Sequence, residues 1–166
     1  MRFWPGLMLL LPLASPFAHA ELIDEVNDRG ELRIALSADL PPFSFKQDDR
    51  LTGFDVELGE LLAKELEVKP SLLVTDQDDL LSGVESGKYD VAITPVVMPR
   101  EVEDRFDFTE PYSDTASQPT VSLAIPLQKG NPAFQASLNN ALQRIKADGR
   151  LAALSQKWLE REALQP

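Results

Sequence analysis

The chain has 166 residues, with 16 Lys and Arg against 27 Asp and Glu, a formal net charge of −11, one His and no Cys. The missing Cys excludes disulfides, iron–sulfur clusters and thiolate nucleophiles. The acidity opposes binding to nucleic acid or anionic lipid, which need basic patches.

Residues 1–20 read as a secretory leader. Met1 and Arg2 form a short positive start, residues 3–13 are apolar around Pro5, Gly6 and Pro12, and Ala18-His19-Ala20 is a small-x-small cleavage site. The apolar run is too short to span a bilayer as a helix. Removal of this leader leaves 146 residues with a net charge of −12 and no His. That mature chain has no Ser-His-Asp or Cys-His site and no His/Cys zinc site, and no cofactor is expected. A chain of this length folds around one core.

Leu22, Ile23 and Val26 share one face of a short helix that stops at Gly30. Residues 32–36 (LRIAL) read as a strand. Pro41-Pro42 then makes residues 38–45 a loop at the strand's carboxyl end, and Asp48-Asp49-Arg50 a polar turn. Residues 54–66 are a helix with Leu58, Leu61, Leu62 and Leu66 on one stripe and Glu57, Glu60 and Lys64 outside. Pro70 ends that segment. A second strand spans 71–75 (SLLVT). Asp76 or Asp78 caps a short helix with Leu80, Leu81 and Val84 inside, closed at Gly87. Capping explains these acids better than a cation site, because the calcium-loop spacing is absent. Residues 90–94 (DVAIT) are a third strand, apolar enough for burial on both faces.

Residues 113–119 are polar without periodicity, and residues 120–127 (TVSLAIPL) read as a fourth strand. Asn131-Pro132 starts a helix with Phe134, Leu138, Leu142 and Ile145 on its inner stripe, ending at Gly149. Leu151, Leu154, Trp158 and Leu159 mark a final amphipathic helix, with Trp158 as core packing. The alternation of strands and helices is that of a parallel sheet covered by helices. Ligands of such sheets sit beyond the carboxyl ends of the strands. Residues 37–45 and 94–100 are thus the expected mouth of a site.

Gly53-Phe54-Asp55-Val56-Glu57-Leu58, with Leu61, Leu62, Ala63 and Leu66 after it, resembles the motif of the bacterial extracellular solute-binding proteins of family 3. Leu32-Arg33-Ile34-Ala35 with Pro42-Phe43, Gly87-Lys88-Tyr89-Asp90, and Asp107-Phe108-Thr109-Glu110-Pro111-Tyr112 resemble further family segments in order. So do Lys146-Ala147-Asp148-Gly149 and Lys157-Trp158. The resemblance implies a periplasmic receptor of a polar amino-acid ABC transporter. It also implies the fold class: α/β, a Rossmann-like or flavodoxin-like lobe of the type II periplasmic binding protein fold, mostly parallel with helices on both faces.

The family pattern has two lobes. Here residues 113–119 stand as a link where the second lobe would be inserted. The expected organisation is one lobe over residues 21–166, with 21–112 as its first part and 120–166 as its returning part. The resemblance implies ligand contacts at Ser37, Asp39, Leu40, Phe43, Thr94, Val97 and Arg100. Leu40 stands where the family has an aromatic that stacks on ligand, and Ser37 at the usual acidic place, with Asp39 nearby. Val102 stands where an Arg holds the ligand carboxylate. Losing that charge-assisted pair costs on the order of 2–5 kcal/mol. A single open face also falls short of the roughly 70–90% enclosure of good small-molecule sites.

The expected function is a solute-binding-like protein with a truncated, atypical ligand site, and not an enzyme. The nearest enzymatic alternative is a dehydratase using Asp39 or Glu101 as acid, but nothing in the spacing singles out either. The alternative role is a regulatory or scaffold protein. It would use Leu40, Pro95, Val96, Val97, Met98 and Val102 to dock another periplasmic protein, or a second copy in a homodimer. The expected partners are therefore a polar amino acid with an ABC permease, or a protein on the same face.

Overall fold

A computed structural model describes residues 21–95, 104–112 and 123–159. In chain order these form α1 (Leu22–Arg29), β1 (Glu31–Leu36), β2 (Asp39–Leu40), β3 (Ser44–Gln47), β4 (Arg50–Thr52) and α2 (Phe54–Glu65). There follow β5 (Lys69–Val74), α3 (Gln77–Glu85), β6 (Val91–Ala92), β7 (Phe106–Phe108) and β8 (Pro126–Gln128). Two helices finish the described chain, α4 (Pro132–Ala147) and α5 (Arg150–Trp158).

The main sheet has the order β5-β1-β6-β8-β7. β1 runs parallel to both β5 and β6, whereas β8 is antiparallel to β6 and β7. Alternation along β1 divides the core between the two faces. Leu32, Ile34 and Leu36 join the larger cluster under α1, α2, α4 and α5, while Ala35 meets Leu80 and Val84 of α3 on the other side. The helix stripes read from sequence are the ones buried: Leu58 and Leu62 of α2, Leu80 and Val84 of α3, and Phe134, Leu138, Leu142 and Ile145 of α4.

Four readings change. Residues 39–52 are a three-stranded antiparallel sheet, β2-β3-β4, not a plain loop and turn. Its hairpin tip places Asp48 and Asp49 at φ 50° and 59°, the left-handed pair that a tight two-residue turn requires. Pro70 lies inside β5 instead of before it. The Lys69 N–H donates to the Gly30 carbonyl (3.0 Å), so the nitrogen of Pro70 faces the free edge, where no ladder donor is needed. The strand expected over 120–127 is ordered as β8 from Pro126, with Leu123 as an isolated bridge; residues 120–122 lie outside the described set. Finally, Asp107-Phe108, read only as a motif, belongs to the edge strand β7, paired with β8.

At the amino edge of the sheet, Asp90 fastens three elements. Its fully buried carboxylate meets Arg29 of α1 at 2.5 Å and Arg33 of β1 at 2.7 Å, and accepts the Arg33 backbone N–H at 2.7 Å. Glu65 ties α2 to Arg144 of α4 (2.5 Å) and Arg150 of α5 (2.6 Å) at a more exposed place, where pairs contribute little. Asp90→Ala leaves two guanidinium groups and a backbone N–H without their acceptor. Urea unfolding is expected to register a loss of about 3 kcal/mol.

Candidate functional site

The carboxyl edge of the sheet gathers the expected site residues. The Ile93 N–H donates to the Ala35 carbonyl (3.1 Å) and the Thr75 N–H to Leu36 (3.0 Å), so the parallel ladder continues past the strands. With Leu36 opposite Val74 and Ala35 opposite Ala92, that register sets Ser37 between Thr75 and Thr94. Ser37 and Thr94 are both buried. Ser37 Oγ accepts the Asp39 N–H at 3.4 Å, whereas Thr94 Oγ1 has no hydrogen-bond partner.

The loop that follows β1 bends back on itself through the Phe43 N–H, which donates to the Leu40 carbonyl at 2.8 Å. Asp39 is exposed, and Leu40 and Phe43 are half-buried. The structure therefore brings Ser37, Asp39, Leu40, Phe43 and Thr94 to one edge. Val97 and Arg100 lie outside the described residues, as do Val96, Met98 and Val102 of the apolar face and Glu101.

What seats this loop is the start of α2. The first turn of any helix leaves backbone N–H groups without internal acceptors. Here the Phe54 N–H donates to the Pro42 carbonyl (3.0 Å) and the Asp55 N–H to the Phe43 carbonyl (2.8 Å). Gly53 permits this approach. Its φ is +129°, and a Cβ there would lie 2.2 Å from the Phe43 oxygen. The Gly-Phe-Asp motif is thus the mechanical seat of the loop. The Phe43 ring meets Phe54 edge-on at 6.3 Å, and Phe54 stacks on Tyr112 at 6.2 Å.

Sequence reasoning missed the third residue of that motif. Asp55 is fully buried, and neither carboxylate oxygen has a hydrogen-bond partner. Desolvation pushes its carboxyl up to about 7. The Tyr112 hydroxyl is also buried and unpartnered, and its pKa is raised well above the usual value by burial and then by Asp55. A signal was available. Asp55 stands three residues before Leu58 and seven before Leu62, on the buried stripe of α2.

Tyr112 and Leu123, the described residues on either side of residues 113–122, are bonded to each other. The Tyr112 N–H donates to the Leu123 carbonyl at 2.9 Å, and Thr109 and Ile125 bond each other in both directions. Residues 113–122 therefore begin and end at adjacent points. Of the Asp76, Asp78 and Asp79 group, Asp78 and Asp79 lie in the first turn of α3. Asp76 is the N-cap of α3, although its side chain makes no capping bond.

A mostly parallel sheet, with its loops gathered at the carboxyl edge and β8 returning antiparallel between β6 and β7, is one lobe of a periplasmic binding protein. The chain belongs to the bacterial extracellular solute-binding proteins, family 3, whose sequence model matches residues 32–161. It is similar to the L-cystine-binding protein TcyJ of Escherichia coli, 40% identical over 116 residues, covering 69% of this chain and 41% of that protein. It is also similar to the cyclohexadienyl dehydratase of Pseudomonas aeruginosa, 28% identical over 106 residues, covering 63% and 40%. The chain thus spans about two-fifths of the length of these relatives. Among solved structures it resembles the arginine-bound form of domain 1 from TmArgBP, with a TM-score of 0.68 and 29% identity, covering 73% of this chain and 98% of that one.

Two outcomes follow from the seat. Gly53→Ala forces a Cβ against the Phe43 carbonyl in a backbone region disfavoured for Ala. A loss of about 1–3 kcal/mol is expected in thermal or urea unfolding. For Asp55, the unfolded chain titrates near the ordinary carboxylate value, about 3.9. The folded state holds its proton up to about 7. Stability from this group is therefore complete below pH about 4 and is lost as pH rises to about 7, by at most about 4 kcal/mol. Urea melts of the wild type and Asp55→Asn across pH 4–8 check this, since the variant lacks that slope.

Proposed function

We propose that the chain is a periplasmic, single-lobe amino-acid-binding protein of the ABC-transporter type, exported by cleavage of residues 1–20. In this reading residues 113–119 serve as a short link in place of a second lobe. A polar amino acid lies on the carboxyl edge, against Ser37, Asp39, Leu40, Phe43 and Thr94, with Val97 and Arg100 completing the site. Asp39 takes the ligand ammonium, the free Thr94 hydroxyl donates to or accepts from a polar ligand group, and Leu40 and Phe43 cover its apolar part. The observation that carries the proposal is the arginine-bound form of domain 1 from TmArgBP. One lobe of this architecture sufficed there to hold an amino acid, which weakens the enclosure argument against an open face.

Binding is favoured over catalysis because the matched relatives are mostly named as binding proteins, the dehydratase at 28% identity being an exception. A second reading draws on the half-buried Leu40, Pro42, Phe43 and Pro95, which together leave apolar surface at the same edge. That surface would suit a protein partner or a second copy.

Titration calorimetry against L-cystine, L-arginine, L-histidine and other polar amino acids separates the two. Heat at sub-millimolar concentration, weakened about tenfold or more by Asp39→Asn or Thr94→Val, is the expected result. Silence across the panel, with a dimer in sedimentation at high micromolar concentration, would overturn the first reading in favour of the second.

A further inference from the structure

We propose that Asp55 is a positioning residue for the ligand loop: as a neutral acid it lets residues 41–43 rest on the first turn of α2, and on ionisation it loosens that seat. The geometry gives the carboxyl two constraints. It is completely enclosed and has no hydrogen-bond partner. It also sits on the residue whose own N–H holds the Phe43 carbonyl. A neutral acid tolerates such a place at modest cost, whereas an unpaired carboxylate does not.

The surroundings determine which part yields. Phe54 and Tyr112 are buried and stacked, and Tyr112 is itself tied to Leu123. In the loop bonded to the first turn of α2, Pro41 is exposed and Pro42 and Phe43 are only half-buried. Water reaches the carboxylate most cheaply by displacing the loop. There is also a competition for donors. The first-turn N–H groups of α2 are held by the Pro42 and Phe43 carbonyls, and a helix N-terminus attracts an anion. An ionised Asp55 competes with the loop for those groups.

No charged neighbour compensates among the described residues. The titratable group coupled to Asp55 is Tyr112. On the small sheet Asp39, Lys46 and Arg50 are exposed. Glu57 of α2 pairs with Lys157 of α5, and Glu65 pairs with Arg144 of α4 and Arg150 of α5. Arg33 of β1 is engaged with Asp90 at the opposite edge, and Lys69 of β5 is exposed. Burial therefore acts alone on the Asp55 carboxyl, raising it to about 7. The consequence for ligand affinity rests on the amino-acid-binding reading above; the loosening of the loop does not.

Carboxyl-carbon NMR and backbone amide exchange on the ligand-free protein, from pH 5 to 8.5, test the idea. The Asp55 signal, assigned in the wild type by through-bond correlation of the side-chain carboxyl with its own backbone, is expected to titrate near 7. After correction for intrinsic exchange, protection at the Phe54 and Asp55 amides should fall across that midpoint. The fall should be at least tenfold greater than at Ile34 and Leu36 of β1, insensitive to low urea, and absent in Asp55→Asn. A midpoint below 5 would overturn the proposal. So would protection that does not change with pH, or that falls equally in β1. The wild-type measurements decide the matter even if the variant fails to fold. Because no ligand is added, a failed amino-acid titration leaves this result standing, and the reverse also holds.

Discussion

The pair of hydrogen bonds from the first turn of α2 to the Pro42 and Phe43 carbonyls is the contact on which the site is built. It does two jobs at once. It satisfies backbone donors that a helix start cannot satisfy internally, and it fixes the loop carrying Asp39 to Phe43 over the carboxyl edge of the sheet. Gly53 is the residue that lets the two segments come this close. Everything proposed for the ligand face presumes that this loop is held, because Asp39 and Leu40 make only a two-residue strand of their own.

The two ends of the sheet are held by different physics. At the amino edge the buried Asp90 side chain is met by two guanidinium groups and a backbone N–H. At the carboxyl edge an acid of the same type is buried with no compensating charge among the described residues. The first arrangement joins α1, β1 and the start of β6 through one buried carboxyl group. The second is conditional, and it lies beside the loop that a ligand would touch. Under the binding reading proposed above both have a use, since a site that must adapt to a guest needs a part of low local stability mounted on a part of high stability.

Much of the fold was legible because helices with one buried stripe write that stripe into the sequence at a spacing of three and four. Phe134, Leu138, Leu142 and Ile145 of α4 are an example. The small sheet over residues 39–52 was not legible. Its strands are two to four residues long, too short for alternation to register, and Pro41-Pro42 masked the first of them. Pro70 was read as a terminator because sequence alone does not say that β5 is an edge strand with its nitrogen pointing outward. Trp158 was placed on the inner stripe of α5, and it is half-buried there with its ring edge-on to Phe45 at 5.9 Å. For the site, spacing sufficed to bring Ser37 and Thr94 to the same edge. It did not single out Asp55, because an acid on an apolar stripe looks like an exposed first-turn residue until its burial is known.

The closeness of Tyr112 to Leu123 has a consequence for how such a chain can be remodelled. Two chain segments already bonded to each other form a port. Whatever is spliced between them imposes no strain on the lobe, provided its own termini also meet. The same junction could therefore accept a reporter domain, a tether or a whole companion body while the sheet keeps its register. Gain and loss of large inserted modules at such a doorway need not pass through an unfolded ancestor.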